Sequence, residues 1–64
     1  VYIPIKMGMS IEEVKTTEYF WYVMNDYYLS QTTWTQNGIR KEYTWEAGKL
    51  VFENNILVEV KSWK

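Results

Sequence analysis

The chain has 64 residues, with seven Lys/Arg against eight Asp/Glu for a net charge of −1, and it contains neither Cys nor His. No disulfide can staple it, and zinc fingers, most catalytic zinc sites and the commonest general base are excluded. The near-neutral balance, without any Lys/Arg run, argues against nucleic-acid and membrane-surface partners, and the longest apolar run (residues 19–24, YFWYVM) is far below the roughly 18–20 residues needed to cross a bilayer.

A chain this short buries only roughly 60% of its unfolded surface, so it needs a dense core, a staple or an oligomer. Density must come from four Trp, six Tyr and two Phe, since a large aromatic buries roughly 150–250 Å². The chain reads as one domain over residues 1–64. No basic-then-apolar leader opens it, and Val1 is a small residue of the kind left after removal of an initiator Met. The expectation is a complete short cytoplasmic product; a trimmed or designed chain has the same appearance.

Residues 1–7, VYIPIKM, alternate with Val1, Ile3, Ile5 and Met7 on one face. That pattern predicts a strand, and Pro4, which has no N–H to donate, confines it to a sheet edge or an arm. Gly8 breaks it. Ser10 followed by Glu13 then forms a capping box, with Glu12 and Glu13 at the positive end of the helix dipole. Two successive Thr at 16 and 17 are mediocre helix formers, and Thr17 is itself a candidate cap. The expectation is a short turn at 11–15 and a main helix at 17–29, either separate or fused through a kink near 16–17. At about 100° per residue, Val14, Phe20, Trp21, Met24, Tyr27 and Tyr28 form one broad stripe, and Ile11, Tyr19, Tyr22 and Leu29 fall on the other side.

After Ser30 the period becomes two. Strands are expected at 32–36, 39–46, 49–53 and 56–63, joined by Asn37-Gly38, Ala47-Gly48 and a loop at 53–55. The first turn sets Trp34 opposite Lys41, and the second sets Trp45 opposite Leu50 and Tyr43 opposite Phe52. A three-residue last loop pairs Phe52 with Ile56 and Leu50 with Val58, which unites the apolar sides. One face then carries Trp34, Ile39, Tyr43, Trp45, Leu50, Phe52, Ile56, Val58 and Val60. The other carries Thr33, Thr35, Arg40, Glu42, Thr44, Lys49, Glu59 and Lys61, relieved by Val51, Leu57 and Trp63. The fold class expected is α+β: one helical segment over about 11–29 packed on one face of an antiparallel four-stranded meander, with an N-terminal edge strand or arm.

Catalysis finds no support in these residues. Glu12, Glu13, Glu18 and Asp26 read as dipole complementarity and solubility, Ser10, Ser30 and Ser62 have no His to activate them, and the glycines punctuate turns. No catalytic, metal or cofactor residue is assigned. Trp34, Tyr43 and Trp45 offer an aromatic platform for single-stranded nucleic acid or glycan, but they share a face with Leu50 and Val58, where core is the simpler reading. Tyr19, Tyr22, Leu29 and Ile11 cannot all reach the sheet if Trp21 and Met24 do. They are therefore the candidate partner-binding residues, with Tyr2 and the arm available to the same contact.

Residues 8–23, GMSIEEVKTTEYFWYV, resemble a short element of small tailed-phage proteins, the tail-assembly chaperones, in which a Gly-hydrophobic-Ser/Thr start precedes a Glu pair and a helix rich in aromatics. The resemblance implies binding to other phage proteins through the helix, without catalysis, and a virion-associated setting beside the cytoplasmic one. The functional expectation is a protein–protein interaction or assembly module, acting on itself or in a larger assembly. An aromatic ligand-binding module and a designed miniprotein, whose near-minimal turns designers favour, are the alternatives.

Overall fold

The computed structural model describes residues 3–63. Two short helical turns, α1 (Ile11–Val14) and α2 (Phe20–Val23), and a 3-10 turn (Met24–Asp26) lead into strands β1 (Leu29–Thr35), β2 (Gly38–Trp45), β3 (Gly48–Glu53) and β4 (Ile56–Ser62). The strands form an antiparallel meander in the order β1-β2-β3-β4. This is the α+β arrangement expected, with a much smaller helical layer.

Local chemistry explains why the helices are short. The capping box forms as read: Ser10 Oγ accepts from the Glu13 N–H and Glu13 Oε1 accepts from the Ser10 N–H, both at 3.2 Å. One turn later, Thr16 and Thr17 donate their hydroxyls back to the Glu13 and Val14 carbonyls at 2.6 and 2.7 Å. Such side-chain bonds compete with helix continuation. Thr17, fully buried, accepts from the Tyr19 N–H at 3.1 Å and so launches α2. The main helix expected at 17–29 ends at Val23 because Asn25 and Asp26 adopt φ of 57° and 53°. Asn and Asp visit the left-handed region more readily than other L-residues, so the polar pair reverses the chain, and Tyr27 and Tyr28 become the lead-in to β1.

Both earlier hairpins turn one residue sooner than expected. Thr35 pairs with Gly38 and Trp34 with Ile39, while Trp45 pairs with Gly48 and Tyr43 with Leu50. Asn37 does not take positive φ, as a type I′ turn centred on Asn37-Gly38 would require; Gly38 alone does, at 125°. A side chain on Gly48 would collide with the Lys61 carbonyl, so this glycine serves the close approach of β4 and not the turn. In each hairpin the pairing moves by two positions in total, so every side chain keeps its expected face.

The last hairpin corrects the face assignment. Glu53 pairs with Ile56 and Phe52 with Leu57, then the register shifts and Val51 pairs with Glu59 and Leu50 with Val60. Asn54 and Asn55 both take positive φ, 52° and 67°, which permits a two-residue turn. The extra residue, Val58, is absorbed in a bulge that restores the alternation. Leu57, expected on the polar side, is therefore buried, while Ile56 and Val58, expected in the core, are 40% and 43% exposed.

The core joins Val14, Val23, Tyr43, Leu50, Phe52 and Leu57, with Ile5, Met9, Ile11, Tyr19, Leu29, Trp45 and Val60 packed around it. On the opposite face, Val51 is also fully buried. Its cover is an ion-pair network in which Lys49 meets Glu42 and Glu59 at 3.7 and 3.8 Å, flanked by Arg40–Glu53 at 2.6 Å. Among the described residues 3–7 no strand forms. The main-chain pairing expected there falls on residues 8–11 instead, where Gly8 donates to Leu57 at 2.9 Å and Leu57 donates to Met9 at 2.7 Å. The arm does fold back, through Ile5 and Met9.

Asn54 links two turns. Its Oδ1 accepts from the Ile39 N–H at 3.2 Å, and its Nδ2 donates to the Asn37 carbonyl. Asn54→Gly keeps the left-handed backbone and removes this latch, so it is expected to lower unfolding free energy by about 1 kcal/mol. Asn54→Ala adds left-handed strain and is expected to cost roughly 1–2 kcal/mol more. Urea melts of the two variants check the ordering.

Candidate functional site

Val14 of the expected inward stripe is in the core and Phe20, Met24 and Tyr28 are half-buried, but Trp21 and Tyr27 turn outward and Val23 is buried instead. Tyr22 stacks on Trp45 with ring centroids 4.0 Å apart and planes 9° from parallel. Tyr19 tilts against the same indole at 6.0 Å, and Tyr28 meets Tyr22 edge-on at 5.4 Å. Paired aromatic rings contribute attraction beyond their area burial. Trp45, on β2, is thus the anvil on which α2 rests.

Of the residues expected to face a partner, Tyr2 lies outside the described residues. Ile11, Tyr19 and Leu29 are half-buried and packed against the core, and Tyr22 is half-buried on Trp45. Much of the surplus that motivated their assignment packs within the chain, while Tyr19 and Tyr22 also border a shallow surface cleft with Glu18, Trp45, Ala47 and Ser62. The reason is the early helix stop: a helix of one turn offers the sheet whichever side chains its two flanking bends direct there, and the extended wheel no longer applies.

The aromatic surface lies on the other side. Trp21 is 55% exposed and Tyr27 81%. With Met24, Asn25 and Tyr28 they border a half-open groove of about 450 Å³. Tyr27 stands edge-on to Tyr28 at 5.0 Å, which fixes that wall to the internal aromatic stack. Asn25, held in the left-handed region, places an exposed amide side chain on the groove, among otherwise large apolar groups. The sequence did hold one signal for this outcome: the Asn25-Asp26 pair, readable as a helix stop.

The residues of the aromatic-platform reading do not come together. Tyr43 is fully buried and meets Phe52 edge-on at 5.7 Å, Trp45 lies beneath Tyr22, and Trp34 alone is open, at 79% exposure. Core placement of Tyr43 and Trp45 is as read from the sequence. Trp34 shares the inner face but stands beyond the helical cover.

A second, more polar cleft of about 380 Å³ runs between α1 and β2, with Lys15, Asp26, Lys41 and Tyr43 among its lining. The Tyr43 hydroxyl donates to Asp26 Oδ1 at 2.6 Å. Burial, followed by the bond to Asp26 and its negative charge, pushes the Tyr43 phenol well above its ordinary range. A phenol so held resists deprotonation and is a structural donor, not a base. Among the described residues no group of three or more His, Cys, Asp or Glu has a metal-holding arrangement, and no helix is long and apolar enough to cross a membrane. Comparison with known proteins returns no matching family model, no similar characterised protein and no similar solved structure.

The Tyr43 arrangement has a pH consequence. A group whose pKa rises on folding stabilises the fold fully below its unfolded value, about 10 for tyrosine, and that stability is lost as pH rises beyond it. Wild-type melting temperature is therefore expected to fall above about pH 10, and Tyr43→Phe to show a shallower fall. At pH 7 the same variant loses a hydrogen bond to a carboxylate, at a cost of about 1.5 kcal/mol. Thermal melts from pH 7 to 11 on both chains check the sign and the size.

Proposed function

We propose that this chain is a non-enzymatic protein–protein interaction module whose contact is anchored in the groove bounded by Trp21 and Tyr27. The observation that carries this reading is the exposure of these two large rings beside Met24, in a chain that buries or half-buries its other helical-segment aromatics. Trp and Tyr are enriched among the residues that dominate binding energy, because they bury much area at small entropy cost and tolerate water at one end. Met24 adds an unbranched, adaptable contact. The groove accommodates an apolar side chain of another protein, with Asn25 available to hydrogen-bond the flanking backbone. The resemblance of residues 8–23 to tail-assembly chaperones is consistent with assembly as the setting, and Trp21 lies within it.

The test selects binders from a displayed peptide library on the immobilised full chain and measures the purified peptides by calorimetry. Replacing both rings, Trp21→Ala with Tyr27→Ala, is expected to weaken binding at least tenfold, on the order of 2 kcal/mol for an anchoring ring. Folding stability is expected to change by no more than about 0.5 kcal/mol, since exposed positions carry little of it. Peptides that bind the double variant as tightly as wild type contradict the proposal.

A further inference from the structure

Strand β1 is one margin of the sheet, and ladder parity shows which of its main-chain groups face outward. The Thr44 N–H donates to the Tyr28 carbonyl at 3.0 Å, and the Asn54 N–H donates to the Ile39 carbonyl at 2.9 Å. Even-numbered residues of β2 therefore bond towards β1 and odd-numbered ones towards β3. The β1 residues opposite Gly38, Arg40 and Glu42 are Thr35, Thr33 and Gln31, so these use their main-chain groups on β2. By that parity the N–H and C=O of Thr32 and Trp34 point away from β2, towards the open side of the sheet.

Exposed edges are ordinarily blunted with charge, proline, bulges or covering segments. β1, LSQTTWT, has no charge and no proline, and its irregularity lies at its start, between Leu29 and Gln31. The other margin is protected by several of these devices. Residues 8–11 strap the beginning of β4, a bulge follows at Val58, and Glu59 and Lys61 stand beyond it. Head-to-tail addition of β1 to the β4 edge of another copy is thereby obstructed. Pairing of β1 with β1 meets no like-charge opposition, and it closes on a two-fold axis.

We infer that two copies of this chain pair through β1, antiparallel about a two-fold axis at Thr33, joining their sheets into one. In this register Thr32 of each copy lies opposite Trp34 of the other, and the outward groups of both residues bond reciprocally. The two Trp34 rings fall on the same face at diagonal positions, roughly 7–8 Å apart at the backbone and within reach of one another. That contact covers the most exposed Trp of the described chain, at 79%. An axis at Thr32 instead sets Trp34 opposite Ser30 and draws the two rings apart. The contact uses no part of the Trp21–Tyr27 groove, so it stands or falls independently of the partner proposed there.

Sedimentation velocity of the full chain over a dilution series is expected to show a dimer that dissociates on dilution. Thr32→Pro removes an outward N–H that β2 does not use, at a strand edge where proline is tolerated. It is expected to weaken the dimer at least tenfold while leaving the far-UV circular dichroism unchanged. The register is read separately by Thr33→Cys, introduced into a chain without cysteine. Opposed residues of a non-hydrogen-bonded antiparallel pair lie about 4.5 Å apart at Cα, within disulfide range. Mild oxidation is therefore expected to cross-link Thr33→Cys much faster than Thr35→Cys. A wild-type chain that is monomeric at every concentration overturns the inference, as does a folded Thr32→Pro variant that dimerises normally. Equal cross-linking of the two cysteine variants overturns it also, and decides the matter if Thr32→Pro does not fold.

Discussion

The stacking of Tyr22 on Trp45 is the contact on which the rest of this structure depends. A 64-residue chain with one-turn helices cannot cover a sheet by helix packing in the ordinary sense, because there is no length over which ridges and grooves can mesh. What attaches α2 to β2 is a pair of parallel rings 4.0 Å apart, with Tyr19 leaning on the same indole. Burial of Val23 follows from that attachment, as does the position of Asp26 over the Tyr43 hydroxyl. The orientation also decides what remains outside. With Tyr22 turned inward, its chain neighbour Trp21 faces solvent, and the bend at Asn25 and Asp26 brings Tyr27 beside it.

The proposed contact surfaces are what the core leaves over. The aromatic content that a small chain needs for density exceeds what one sheet face can hide, and the excess is sorted to three places: the groove at Trp21 and Tyr27, the free margin at Trp34, and Trp63 beyond β4. The polar face contributes stability of a different kind: the aliphatic stems and paired charges around Lys49 seal Val51 without help from a second layer. That frees the helical layer from covering both sides.

Much of the fold was legible in the residues. Ser10 and Glu13 announced the first helix, the alternation after Ser30 announced the meander, and β2 and β3 kept their faces through a shift of turn position because side-chain direction has a period of two. The two misreadings that moved side chains from one face to the other share one cause. Asn25, Asp26, Asn54 and Asn55 all adopt positive φ, and composition does not show which Asn or Asp will do so. The first pair cut the helix short and turned Trp21 and Tyr27 outward, which is why the proposed contact is placed at these rings. The second permitted a tight turn, and only the bulge at Val58, a tertiary compromise between Leu57 and Val60, brought both into the core.

The orientation of α2 is the claim everything else rests on, and nuclear Overhauser contacts among the aromatic rings measure it most directly. Strong cross-peaks are expected from the Trp45 indole to the Tyr22 and Tyr19 rings, and none from the Trp21 indole to Trp45 or Leu50. Contacts from Trp21 to Trp45 and Leu50, with Tyr22 free of them, would contradict this orientation and return the outward surface to Tyr19 and Tyr22.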